Sequence, residues 1–167
     1  AGVDNQKHAI STGVVFKGEI TGAAVEAAGG ETIYVFENVL YGKWADVVTA
    51  SEATDAPATL VAAVNKIAAK EAPVAADYAA AGFTGYKAEG GKYYAYYYYW
   101  NRHNDNGNNT SMGPMEFAVV RNNVYKLCVD KIAKFGHPNP NDVDPIDPDP
   151  ENPDDPDESI NYYFTVT

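Results

Sequence analysis

The stretch Lys92-Tyr93-Tyr94-Ala95-Tyr96-Tyr97-Tyr98-Tyr99-Trp100 decides how the chain folds. It follows Gly90-Gly91, a good hairpin turn, and it is aromatic at odd and even positions alike. Successive strand residues point to opposite faces, so a strand of this kind needs cover on both sides. Tyrosine suits such a place, because each ring buries apolar area while its hydroxyl keeps a polar partner. The plain reading is a central strand lying between a core and a covering helix. A sugar-stacking platform presented by Tyr97 and Tyr99 is the alternative, since rows of aromatics also line carbohydrate sites. Base stacking is disfavoured, because the positive groove it requires is missing.

Upstream, Val14, Phe16 and Ile20 share one parity and alternate with Lys17 and Glu19, a half-buried strand pattern. Thr32-Ile33-Tyr34-Val35-Phe36 and Val39-Leu40-Tyr41 flank Glu37-Asn38, which predicts a tight hairpin. Residues 44–50 can begin a short helix. Asp55 is placed to cap a helix with Pro57 near its start and Leu60, Val61, Val64 and Ile67 at helical spacing. Pro73 ends that helix, and 74–81 form another with Gly82 as its C-terminal stop. The alanine-rich composition predicts a helical cover over one edge or face of a sheet. A membrane-surface helix would need a basic polar face, which is lacking.

Downstream, 101–114 is a loop by composition. Asp105 and its Asn-rich neighbours do not have the spacing or the closing glutamate of a calcium loop, so an Asx-rich turn is favoured. Residues 115–120 and 124–132 are strand runs joined by Arg121-Asn122-Asn123, either a hairpin or one long strand that bends. The whole predicts a mainly β fold: a sandwich of about seven strands with a helical segment inserted at about 55–81.

The end of the chain differs from the rest. Residues 138–158 hold seven prolines, and 142–158 hold nine carboxylates with no base. Polyproline II at about 3.1 Å per residue makes this a tether of up to roughly 65 Å. Then Ile160-Asn161-Tyr162-Tyr163-Phe164-Thr165-Val166-Thr167 alternates Tyr162, Phe164 and Val166 against threonines and Tyr163. A strand on a tether needs a sheet edge, its own or a neighbour's. The expected division is a β-sandwich domain at 1–137, an Asp/Pro-rich tether at 138–159 and a terminal strand at 160–167, with Tyr162, Phe164 and Val166 as its pairing residues. A start at Ala1 and an end inside a strand predict a processed or truncated piece of a longer protein.

The net charge of −11 comes mostly from the tether and argues against nucleic acid. Cys128 is the single cysteine, read as a buried small hydrophobe, so no internal disulfide forms. His8, His103 and His137 lie far apart with no ligand spacing. Nucleophile elbows, phosphate loops and HExxH are missing, so no catalytic residue, cofactor or metal is expected, and the protein is read as a non-enzyme.

Met115-Glu116-Phe117-Ala118-Val119-Val120-Arg121-Asn122-Asn123-Val124-Tyr125-Lys126-Leu127, then Ile132, Gly136-His137-Pro138 and the Asp-Pro tract, resemble the C-terminal domain of Bacteroidales fimbrillins. These type V pilus proteins include the shaft (major) subunits of Porphyromonas short, or minor, fimbriae. The resemblance implies a transthyretin-like, immunoglobulin-like sandwich in a structural subunit of a cell-surface fimbrium. It implies export through the outer membrane, with a lipid anchor only on the uncleaved precursor, and polymerisation by donor-strand exchange. Partners would be other copies of the same subunit, with anchor and tip subunits, and the filament would support adhesion to host or bacterial surface ligands. The chain departs from the family pattern in lacking an N-terminal domain and in stopping where a donor strand would begin. An adhesin domain that binds carbohydrate or protein through the tyrosine strand is the alternative function.

Overall fold

A computed structural model of the chain describes residues 12–28, 30–104, 106–108, 111, 113–140 and 164–166. In chain order the elements are β1 (Gly13–Ile20), α1 (Ala23–Ala28), β2 (Thr32–Phe36), β3 (Val39–Tyr41), α2 (Trp44–Ser51) and α3 (Ala58–Ala68). They continue with α4 (Ala75–Ala80), β4 (Thr84–Lys87), β5 (Tyr93–Trp100), β6 (Val129–Ile132) and β7 (Phe164–Val166). The chain divides into two compact units, Gly18–Ala95 and Ala1–Lys17 with Tyr96–Thr167. The fold is β-rich, with several antiparallel pairings and a few short helices.

In the unit Gly18–Ala95, β2 is the middle of the sheet β3-β2-β4. It pairs with β3 in the register Phe36↔Val39 and with β4 in the register Ile33↔Tyr86. Glu37 and Asn38 turn the hairpin at φ 46° and 67°. Two successive residues at positive φ match the right-handed twist of the flanking strands, which is why so short a turn closes here. Phe36, Val47, Leu60, Ala63, Val64, Ile67, Ala81 and Phe83 make one core, so α2 and α3 bury their apolar stripe on the sheet. Trp44 stands edge-on to Tyr34, Tyr78 and Phe83 at 4.8–5.3 Å between ring centres, and it closes one side of that core. The other face of β2, Ile33 and Val35, is buried too.

The helical insertion stands at 58–80, within the expected stretch, and its caps differ in part. Pro57, not Asp55, occupies the N-terminal cap of α3, and no side chain bonds there. Proline offers no side-chain acceptor, so the first amides of α3 are not capped by the residue at that position. Gly82 ends α4 as expected, at φ 94°, with Phe83 N–H returning to the Tyr78 carbonyl at 2.9 Å.

β1 shows the predicted parity, with Val14, Phe16 and Ile20 on the more buried side, and pairs with β5. Tyr93, Ala95, Tyr96 and Tyr97 are all buried, so both parities of β5 are covered as its composition demands. The helical cover lies on the sheet of β2.

The two strand runs expected at 115–120 and 124–132 are the main correction. Residues 114–117 form a turn, with Met115 at φ 62° and Ala118 N–H bonded to the Met115 carbonyl at 3.1 Å. Only Val129–Ile132 is strand. In the first of these runs Glu116 turns inward. Its carboxylate accepts the Gly113 and Asn106 amides, which suits the turn at 114–117 rather than a strand. Cys128, expected inside, is exposed. The tether beyond Pro140, with the start of the terminal segment including Tyr162, lies outside the described residues.

Candidate functional site

Within the unit Ala1–Lys17 with Tyr96–Thr167, the later part of β5 is fastened to 134–137. Tyr96 N–H donates to the His137 carbonyl at 2.9 Å, and His137 N–H returns to the Tyr96 carbonyl at 2.8 Å. Gly136 is required at this crossing, because a Cβ there would stand 2.3 Å from the Tyr96 oxygen. The Tyr97 hydroxyl donates to the Lys134 carbonyl at 3.2 Å, and burial pushes that hydroxyl above its usual range. The Lys17 ammonium lies 5.5 Å from the centre of the Tyr96 ring, a cation–π contact. Of the two tyrosines expected to offer rings to a ligand, Tyr97 is 6 % exposed and Tyr99 is half-buried.

A second cluster holds the polar loop that follows β5. Glu116 is buried, and its Oε2 accepts the Gly113 N–H at 2.5 Å. Oε1 faces the Arg102 guanidinium at 3.5 Å and the Asn106 N–H at 3.4 Å, while the Glu116 carbonyl accepts His103 N–H at 2.7 Å. Arg102 also lies 4.9 Å from the ring centre of Phe117. The Tyr125 hydroxyl accepts Val120 N–H at 3.0 Å and shares a hydrogen bond with His103 Nδ1, 2.9 Å away. That gives the histidine a structural task. These groups satisfy one another. Together they tie both ends of an Asn-rich loop to one buried carboxylate.

The third feature is the edge from 119 to β6. β7 runs antiparallel to β6, with Phe164 opposite Ile132, Thr165 opposite Lys131 and Val166 opposite Val129. Two of the three residues expected to pair the terminal strand, Phe164 and Val166, therefore stand in a ladder, with an irregularity between Val129 and Lys131. Just before β6, burial alternates from Val124 to Cys128.

Among the described residues, no group of three His, Cys, Asp or Glu is placed to hold a metal ion. Among them, too, no helix is long and apolar enough to cross a membrane. What the clusters do is positional: they hold loops and edges. Sequence reading missed Glu116, which sat inside a run read as strand. The signal was Gly113-Pro114 immediately before it, a turn dipeptide that interrupts the run.

No curated protein matches the chain. The last 77 of its 167 residues, 91–167, from the turn before the tyrosine strand to the end of the sequence, match the family described as major fimbrial subunit protein type IV, fimbrillin, C-terminal.

Proposed function

We propose that the chain is part of a fimbrillin, the structural subunit of a cell-surface fimbrium of the Bacteroidales type, exported through the outer membrane. The family match over 91–167 carries this reading. It fits a chain whose buried polar groups are used to hold loops and edges rather than to meet a substrate. The domain at 1–137 is then a sandwich of about seven strands, in a subunit that polymerises with other copies and meets anchor and tip subunits. Subunits join by strand exchange, with Tyr162, Phe164 and Val166 as pairing residues of the terminal strand behind the acidic tether. The pairing of Phe164 and Val166 with β6 supports a terminal segment competent to enter a ladder.

Electron microscopy of cells that carry the complete subunit tests this. Filaments that bind antibody against the chain are expected, and deletion of 160–167 should abolish them. Surface-located protein that stays monomeric would defeat the proposal.

A second reading, adhesion through the tyrosine strand at Tyr97 and Tyr99, draws support from the partial exposure of Tyr99. Tyr99→Ala should then lower attachment of intact filaments to target cells without lowering filament number. Unchanged attachment would remove it.

A further inference from the structure

Asn106 is followed by Gly107, and no other asparagine of the chain precedes a glycine. Both residues are exposed. A glycine leaves its own backbone nitrogen unshielded, so that nitrogen reaches the amide carbon of a preceding asparagine with least hindrance. Gly107 stands at φ 70°, and a Cβ there would meet nothing within 4 Å, so backbone conformation and not packing favours glycine here.

The loop holds the Asn106 side chain in one orientation. Its Oδ1 accepts the Asn108 N–H at 2.6 Å, and its Nδ2 donates to the Ser111 carbonyl at 2.5 Å. Only an oxygen takes the first bond and only an NH2 group makes the second, so the two ends of the amide are told apart. The Oδ1 bond is an Asx turn, which folds the side chain back along its own main chain and carries Cγ towards the Gly107 nitrogen. The Asn108 N–H also points at the atom that becomes negative when Cγ is attacked, the task of an oxyanion donor.

We propose that Asn106 is a site of spontaneous deamidation promoted by this loop, and that the change unties the loop from Glu116. The Gly107 nitrogen gives its proton to water or hydroxide and bonds to Cγ. The Cγ–Nδ2 bond then breaks, and Nδ2 takes a proton from solvent and leaves as ammonia. Water opens the cyclic imide at either carbonyl and leaves aspartate or isoaspartate, so one water is consumed for each ammonia released.

The neighbours fix the consequence. A donor to the Ser111 carbonyl is replaced by a carboxylate oxygen, which that carbonyl repels. The new charge also arises beside a buried one. The Asn106 N–H lies 3.4 Å from Glu116 Oε1, and a Cβ on Gly113 would stand 3.1 Å from Asn106 Nδ2 and 3.0 Å from Glu116 Oε2. Two carboxylates bordering one spot repel, and the exposed one swings away with its loop. The inference does not depend on the fimbrial reading.

Tryptic digestion of folded protein held at mildly alkaline pH tests it. Peptide 103–121, released by cleavage after Arg102 and Arg121, should gain about 1 Da, with the gain and a share of isoaspartate placed at 106. Gly107→Ala should slow the gain at least about 10-fold. In urea, where the Asn108 contact is lost, the gain should also slow. Asn106→Asp, the encoded product, reads the consequence: the Gly113 amide, bonded to Glu116 Oε2 at 2.5 Å, should exchange at least about 10-fold faster than in the parent. An unmodified peptide, or a gain at another of its asparagines, would overturn the proposal. So would an undiminished rate in Gly107→Ala or in urea, and so would unchanged Gly113 exchange in Asn106→Asp.

Discussion

The Gly113 amide and the Glu116 carboxylate hold each other: the N–H donates to Oε2 at 2.5 Å, and the Glu116 side chain has no exposed surface. A buried ion pair adds little net stability, because desolvation offsets the attraction. Removing one partner is a different matter, since it strands the other groups without water. Glu116→Ala should therefore destabilise the protein by about 3 kcal/mol, and Glu116→Gln, which keeps an acceptor, by about 1–2 kcal/mol. Arg102→Ala should cost only about 1 kcal/mol, because Arg102 is 23 % exposed and its 3.5 Å contact is long. Denaturant midpoints at constant m measure all three. Equal losses for Glu116→Ala and Arg102→Ala would show that the carboxylate is not the anchor.

The crossing of Tyr96 and His137 depends on the residue beside it. A methyl group at Gly136 would sit 2.3 Å from the Tyr96 carbonyl oxygen and 3.0 Å from its carbon, both backbone atoms that cannot rotate away. Gly136→Ala should break the paired Tyr96–His137 hydrogen bonds and cost about 3 kcal/mol, the high end for an overpacked site. The same change at Gly107, which has open space around its Cβ position, should cost much less despite its φ of 70°. Amide exchange at Tyr96 and His137 reads the effect at the site itself. Retained protection there in Gly136→Ala would contradict it.

How much of this was legible beforehand depended on where the deciding partner lies in sequence. The Glu37-Asn38 hairpin, the parity of β1 and the stripe Leu60-Val64-Ile67 are set by neighbours a few residues away, and all three were readable. The burial of both parities of β5 was readable too, since composition alone demands it. Residues 115–120 and 124–128 were misread for the opposite reason. Their alternation is that of a strand, but a strand exists only where a partner supplies a ladder, and local pattern says nothing about the partner. Glu116 is the same lesson in polar form. A glutamate in an apolar run reads as the solvent side of a strand, and only the converging amides of Gly113 and Asn106 reveal it as an anchor.

Acid should weaken α4 through one carboxylate. Asp77 accepts the Val74 N–H at 3.0 Å and meets Lys70 at 3.1 Å, and these contacts, the backbone bond first, hold its carboxyl below the ordinary value. A carboxyl depressed by folding stabilises the folded state above its unfolded value and loses that contribution as pH falls through the folded one. Asp77→Asn should thus lower the denaturation midpoint at pH 7, and the gap from the parent should narrow as pH falls below the ordinary carboxylate range. A gap that is constant from pH 7 to pH 2.5 would mean that the ionised form contributes nothing.

The hairpin turn offers a gain rather than a loss. Glu37 at φ 46° and Asn38 at φ 67° are both in the left-handed region, where a side chain with Cβ carries a penalty of about 1–2 kcal/mol, least for Asn. The turn of this type prefers Asn followed by Gly. Glu37 has one compensating contact, its Oε2 accepting from the Thr59 hydroxyl at 3.3 Å, and that contact is exposed and long. Replacing it should cost only a few tenths of a kcal/mol, well within what the relief of backbone strain returns. The double change Glu37→Asn with Asn38→Gly should raise stability by about 1 kcal/mol, which is several degrees in Tm for a domain of this size. The extra backbone freedom of glycine in the unfolded chain keeps the gain from being larger. Asn38→Val, with a branched Cβ at positive φ, should instead cost about 2 kcal/mol. Thermal melts of the three proteins decide it: if the valine variant melts with the parent, the turn is not held at the positive φ values on which this ordering depends.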